Sequence, residues 1–160
     1  MKFKQLIKLY ETKQKGPPYL SVGRFGTKWW HKDREKTTLH RTEKDPETGL
    51  TLPAVEFVNG DKFWYKDGQQ HRDEKDPYTG LTLPAVEYGD GDKFWYKYGK
   101  QHRLDGPAVE LENGETYWYI NDIQLSPKEI EEQKKKLAVK NEIQSHKNNR
   151  IDPGMLEDYL

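Results

Sequence analysis

Glu43-Lys-Asp-Pro-Glu-Thr-Gly-Leu-Thr-Leu-Pro-Ala-Val-Glu-Phe-Val-Asn-Gly-Asp-Lys-Phe-Trp-Tyr-Lys-Asp-Gly-Gln-Gln-His-Arg72 recurs almost unchanged as Glu74 to Arg103. Between the copies only Glu47, Phe57, Val58, Asn59, Asp67 and Gln69 change, to Tyr78, Tyr88, Gly89, Asp90, Tyr98 and Lys100. A shorter copy follows as Asp105-Gly-Pro-Ala-Val-Glu-Leu-Glu-Asn-Gly-Glu-Thr-Tyr-Trp-Tyr119. A worn first copy, Gly16-Pro-Pro-Tyr-Leu-Ser-Val-Gly-Arg-Phe-Gly-Thr-Lys-Trp-Trp-His31, closes on His40-Arg41. Four copies of one short unit imply an array in which each unit buries its apolar face against its neighbours.

Within a unit, β-branched and aromatic runs flank Asn59-Gly60, whose counterparts are Asp90-Gly91 and Asn113-Gly114. Such dipeptides favour a two-residue type I′ hairpin. That loop sets Val55 opposite Trp64, Glu56 opposite Phe63, Phe57 opposite Lys62 and Ala54 opposite Tyr65. Val55, Phe57 and Trp64 then share one sheet face, and Ala54, Val58, Phe63 and Tyr65 the other. A second turn at Asp67-Gly68, and at Tyr98-Gly99, sends the chain back through His71-Arg72 and hands the sheet edge to the next unit. The expected fold is mainly β: an elongated antiparallel β-hairpin repeat sheet over residues 16–125.

The flanks read as caps. Phe3, Leu6, Ile7 and Tyr10 fall at helical spacing, so residues 1–15 read as a short helical cap. Ser126-Pro-Lys-Glu129 carries the N-cap, N1 proline and capping box of a helix start. The pattern predicts a C-terminal α-helix over 126–147, from about Pro127 to His146, followed by a tail over 148–160. Its apolar residues Ile130, Leu137, Val139 and Ile143 form no continuous stripe, which predicts a largely solvated helix.

Composition agrees with a thin fold. Of 160 residues 32% are hydrophobic and 34% charged, with a mean hydropathy of −1.15, too polar for a thick multilayer core. The five tryptophans, Trp29, Trp30, Trp64, Trp95 and Trp118, all lie inside the repeats. Charges balance at 27 basic against 27 acidic residues, so no net field draws the chain to double-stranded nucleic acid or anionic lipid. Cysteine is absent, which removes disulfides and thiolate chemistry and points to a reducing compartment. Met1 to Tyr10 is broken by lysines and lacks a signal-peptide core, and no stretch is apolar enough to span a membrane. A cytoplasmic location is expected, and oligomeric state is left open.

Trp-Tyr-x-x-Gly-x-x-His-Arg followed by Asp-Gly-Pro-Ala-x-Glu resembles MORN-like hairpin repeats of the divergent kind found in tailed bacteriophages and large DNA viruses. The resemblance spans about Gly16 to Tyr119 and implies the hairpin-repeat fold and a viral origin, the cytoplasm then being the host's. The Tyr-x-Gly-x-Trp signature of standard MORN repeats is absent, so their membrane role is not implied, nor is any catalytic residue.

Three features are candidates for function. The His-Arg pairs (His40-Arg41, His71-Arg72, His102-Arg103) could serve acid–base or phosphate chemistry, but their repetition favours a role in every unit, such as Arg pairing with Glu87 or Glu110. The two junctions before Pro53 and Pro84 each carry eight residues more than the Leu104-Asp-Gly106 junction. These inserts either offer Leu50, Leu52, Tyr78, Leu81 and Leu83 to a partner or fold their leucines back as covers. A calcium loop on Asp45 or Asp76 has too few carboxylates. Third, Trp64, Trp95 and Trp118 are either core or an open stacking face for a nucleotide, sugar or single strand. Lys62, Lys66, Lys93, Lys97 and the His71-Arg72 and His102-Arg103 pairs would flank that face. No metal-ligand spacing or phosphate loop is visible, and no cofactor is expected. The sequence therefore predicts a non-enzymatic protein-binding module; with the viral origin that the resemblance implies, it would be a viral factor that binds or inhibits a host defence protein. The alternative is a small-ligand binder or sink on the aromatic, basic face.

Overall fold

The structure, a computed structural model, describes residues 18–23 and 25–148, with side chains in the helix to residue 144. The cap predicted over 1–15 and the tail beyond Asn148 lie outside the described residues. The chain divides into two compact units, residues 1–124 and 125–160.

The first unit is an open eight-stranded antiparallel sheet. Four hairpins follow one another: β1 (Tyr19–Val22) with β2 (Lys28–His31), β3 (Val55–Glu56) with β4 (Lys62–Phe63), β7 (Val86–Glu87) with β8 (Lys93–Phe94), and β11 (Val109–Glu110) with β12 (Thr116–Tyr117). Each hands its second strand to the first strand of the next, in the order β1-β2-β3-β4-β7-β8-β11-β12. Three two-stranded ribbons complete the units: β5 (Tyr65–Lys66) with β6 (Gln69–Gln70), β9 (Tyr96–Lys97) with β10 (Lys100–Gln101), and β13 (Tyr119–Ile120) with β14 (Ile123–Gln124).

The register corrects the sequence reading. Val55 pairs with Phe63 and Glu56 with Lys62, one residue away from the expected alignment. Phe57 and Asp61 close the hairpin, and the N–H of Gly60 bonds the carbonyl of Phe57. The loop is therefore Val58-Asn59-Gly60, with positive φ at Gly60 (97°) and not at Asn59. This is a three-residue connection with a G1-type bulge rather than a type I′ turn, and the same pattern recurs around Gly26, Gly91 and Gly114. The type I′ geometry sits instead in the second turns, where Asp67 and Gly68, and Tyr98 and Gly99, all have positive φ.

Since the side-chain period is two, a slip of one residue exchanges faces. One face carries Trp29, Val55, Phe63, Val86, Phe94, Val109 and Tyr117 in a continuous cross-strand row. The other carries Lys28, Glu56, Lys62, Glu87, Lys93 and Glu110, alternating in sign from strand to strand. Phe57 thus joins Phe63, with ring centroids 5.6 Å apart, and not Trp64.

The core is small and periodic: Trp30, Trp64 and Trp95 with Ala54, Ala85, Ala108, Val55, Val86 and Val109. The tryptophan backbone is the splice between rows. Its N–H bonds the alanine carbonyl of the next unit, as in Trp64 to Ala85, and its carbonyl receives the histidine N–H of its own unit, as from His71.

The second unit contains α1 (Pro127–Asn148). Ser126 and Glu129 form the predicted capping box: Glu129 accepts from the Ser126 N–H at 2.8 Å, and its own N–H lies 3.4 Å from Ser126 Oγ. Val139 and Ile143 are exposed, in line with the absent apolar stripe. No helix among the described residues is long and apolar enough to cross a membrane.

Candidate functional site

The His-Arg pairs are joints between units. Arg72 lies with its guanidinium carbon 4.0 Å from the centre of the Trp64 ring, Arg103 repeats this at 4.0 Å on Trp95, and Arg41 at 3.7 Å on Trp30. Each arginine also grips the chain that follows it. Arg103 donates from Nε to Asp105 (2.9 Å) and from Nη1 to the Pro107 carbonyl (3.1 Å) and Glu110 (2.8 Å). Arg41 does the same with Glu43, Pro53 and Glu56, and Arg72 with Glu74 and Pro84, with Glu87 at 3.6 Å. Burial lowers the Arg72 pKa, opposed by the Glu87 and Glu74 carboxylates. A planar fork that stacks on a ring while bonding carboxylates at its edge is a task only arginine fits.

The histidines latch onto the next unit. His40 Nδ1 accepts the N–H of Asp67 at 3.1 Å, and His71 Nδ1 accepts that of Tyr98 at 3.2 Å. His71 also stacks on the Tyr98 ring at 4.2 Å. Accepting at Nδ1 places the neutral ring's proton on Nε2, which lies buried 3.3 Å from an Asp73 carboxylate oxygen without hydrogen-bond geometry. Burial lowers the His71 pKa, with Asp73 pulling it up and Lys66 and Lys97 pushing it further down. No lone pair is then left on His71 for a general base.

Two clefts lie one repeat apart at these joints. The first, about 280 Å³, is walled by His40, Arg41, Trp64, Lys66, His71 and Arg72 among others; the second, about 190 Å³, by Arg72, Thr82, Lys97, His102 and Arg103. Of the two sequence readings of the tryptophans, Trp64 and Trp95 take the core one. Trp64 and Trp95 are 7% and 4% exposed and already covered by arginine, so they cannot offer a ring to a base or sugar. Lys62 and Lys93 line neither cleft and stand in the alternating charge row. Trp118 is half-buried and outside both clefts.

The inserts are stapled to the array. Asp45 Oδ1 accepts from the N–H groups of Glu47 and Thr48 and from the Thr48 hydroxyl, which holds its pKa down, and Asp76 repeats this with Tyr78 and Thr79. Thr51 bonds Glu74, Thr82 bonds Asp105, and the Thr51 and Thr82 carbonyls take the indole N–H groups of Trp64 and Trp95 at 2.7 Å. Leu50, Leu52 and Leu83 are half-buried, whereas Leu81 is exposed and Tyr78 is 96% exposed. The three half-buried leucines act as covers, while Leu81 and Tyr78 stand out to solvent. Among the described residues no three His, Asp or Glu side chains gather as a metal site requires.

Sequence reasoning missed the aromatic strip. Phe57, Phe63, Tyr88 and Phe94 meet edge to face across four strands at 5.6, 5.7 and 5.6 Å, and Phe57 and Tyr88 remain 40% and 39% exposed. Val58 and Phe25 are more exposed still. The signal was present in the repeated Phe/Tyr at 57 and 88, but the wrong register hid it. No family model, no curated protein and no solved structure matches this chain.

Proposed function

We propose that the chain is a non-enzymatic protein-binding module that presents the aromatic strip, together with the insert tips at Tyr78 and Leu81, to a protein partner. The observation that carries this reading is the half-exposed edge-to-face ladder Phe57-Phe63-Tyr88-Phe94 on one face of an open sheet. A contiguous apolar strip costs solubility, and rigidly held aromatics are favoured anchors at protein interfaces. The side chains that sequence alone offered for catalysis are spent on joints, which supports a binding role. The resemblance to divergent viral repeats adds a context: a virus-encoded factor acting in the host cytoplasm, which binds or inhibits a host protein such as a defence factor.

The test is affinity capture from host lysate with three proteins: the intact chain, Phe57→Ser with Tyr88→Ser, and a chain with residues 73–83 shortened to Leu-Asp-Gly. A stoichiometric partner held by the intact chain and lost with the serine pair supports the reading. Turnover of a substrate, with no protein captured by any form, overturns it.

The paired clefts favour a second reading, a small-ligand binder that uses the His71–Arg72 and His102–Arg103 walls. Nucleotides or oligosaccharides would then quench tryptophan fluorescence, and His71→Asn would abolish the quenching.

A further inference from the structure

The aromatic strip ends at the hairpin tips, and the tips are acidic. Residues 57–61, 88–92 and 111–115 contain Asp61, Asp90, Asp92, Glu112 and Glu115 and no lysine or arginine. Register puts three of these carboxylates on the aromatic face, because Phe57 closes against Asp61, Tyr88 against Asp92 and Leu111 against Glu115. The neighbouring Lys62 and Lys93 belong to the opposite face, paired across strands with Glu56, Glu87 and Glu110. The tips are also tied together: Asp61 Oδ1 accepts the Gly89 N–H and Asp92 Oδ1 the Glu112 N–H, both at 2.8 Å. A Cβ at residue 89 would collide with the Asn59 carbonyl oxygen, so glycine is required for that approach. The carboxylates and rings therefore form one fixed edge.

We infer that this edge docks a basic amphipathic helix of the partner protein. The inference rests on the protein-binding reading above. Equivalent residues of successive units are two strands apart, about 9.6 Å at the usual strand spacing. Seven residues of an α-helix rise about 10.5 Å, so a helix laid across the strands can set apolar side chains at i and i+7 against Phe57 and Tyr88. Lysines or arginines flanking that stripe face the tip carboxylates, and the negative faces of the half-exposed rings attract the same cations. An acidic helix would meet like charge along its whole length, which gives the edge its selectivity.

The probe is a designed helical peptide of about 20 residues with leucine at i, i+3 and i+7 and lysine flanks, titrated into the full chain by calorimetry beside a counterpart with glutamate flanks. We expect the lysine peptide to bind at least about tenfold more tightly than the glutamate one and to weaken about tenfold towards 0.5 M salt. Asp90→Asn with Glu112→Gln and Glu115→Gln should weaken it by a similar factor, and Phe57→Ser with Tyr88→Ser should remove it, in variants whose circular dichroism is unchanged. Equal binding of both peptides, binding of neither, or indifference to the tip amides overturns the inference. If the serine pair still loses a captured partner while the peptides show no charge preference, protein binding stands and the basic helix alone falls.

Discussion

At the scale of single residues, arginine 72 carries the most consequence. It stacks on Trp64, bonds Glu74 and the Pro84 carbonyl and faces Glu87, so it joins one unit's core to the next unit's first strand. Removing one member of such a buried group leaves the others unpaired, which for partly solvated partners costs about 2–3 kcal/mol. Arg72→Gln should lower stability by that amount in urea unfolding, and Arg72→Lys should recover little, because an ammonium neither stacks nor forks. His71 makes the second prediction. Its pKa is lowered by burial, so the unfolded chain takes up the proton first as pH falls. Its contribution to stability is full above the ordinary value of 6.5 and is lost as pH falls from there through the depressed folded value. Asp73, which raises it, and Lys66 and Lys97, which lower it, are the charges that act on it. His71→Asn should flatten the decline in unfolding free energy between about pH 7 and pH 5, and an unchanged slope would assign that decline elsewhere.

At the scale of elements, the inserts are both display and structure. Shortening residues 73–83 to Leu-Asp-Gly removes the Thr82 carbonyl from Trp95 Nε1 and the Thr82 donors from Asp105. Losing bonds to a buried indole should cost about 1–3 kcal/mol, measurable as a shift in denaturation midpoint. The elements also mark where reading the sequence stops. Copy number, hairpin order, the second turns and the Ser126 cap were legible because each has a local signature. The register was not, because Asn59-Gly60 suits a type I′ turn and a G1-type bulge alike, and the choice between them turns Phe57 towards Phe63 and leaves Trp64 beneath Arg72. The Arg–Trp stack was hidden for a related reason: it depends on the Asp67-Gly68 hairpin setting Tyr65 against Gln70. Only pairing makes neighbours of residues eight apart in sequence.

At the scale of the molecule, the repeat is a unit of stability. Every joint of the third unit has a counterpart one repeat away, so deletion of residues 73–103 connects Arg72 to Leu104 and rebuilds the joint with Asp105 and the Pro107 carbonyl. That chain should fold cooperatively with a urea m-value about a fifth lower, since m follows the surface buried. Loss of cooperativity would mean that the second and third units are not interchangeable. The most direct test of the central claim, that the aromatic edge is kept for a partner, is hydrogen exchange on the captured complex. The account predicts slowed exchange at residues 57–61, 88–92 and 111–115. Protection confined to residues 71–73 and 102–104, in the walls of the clefts, would contradict it.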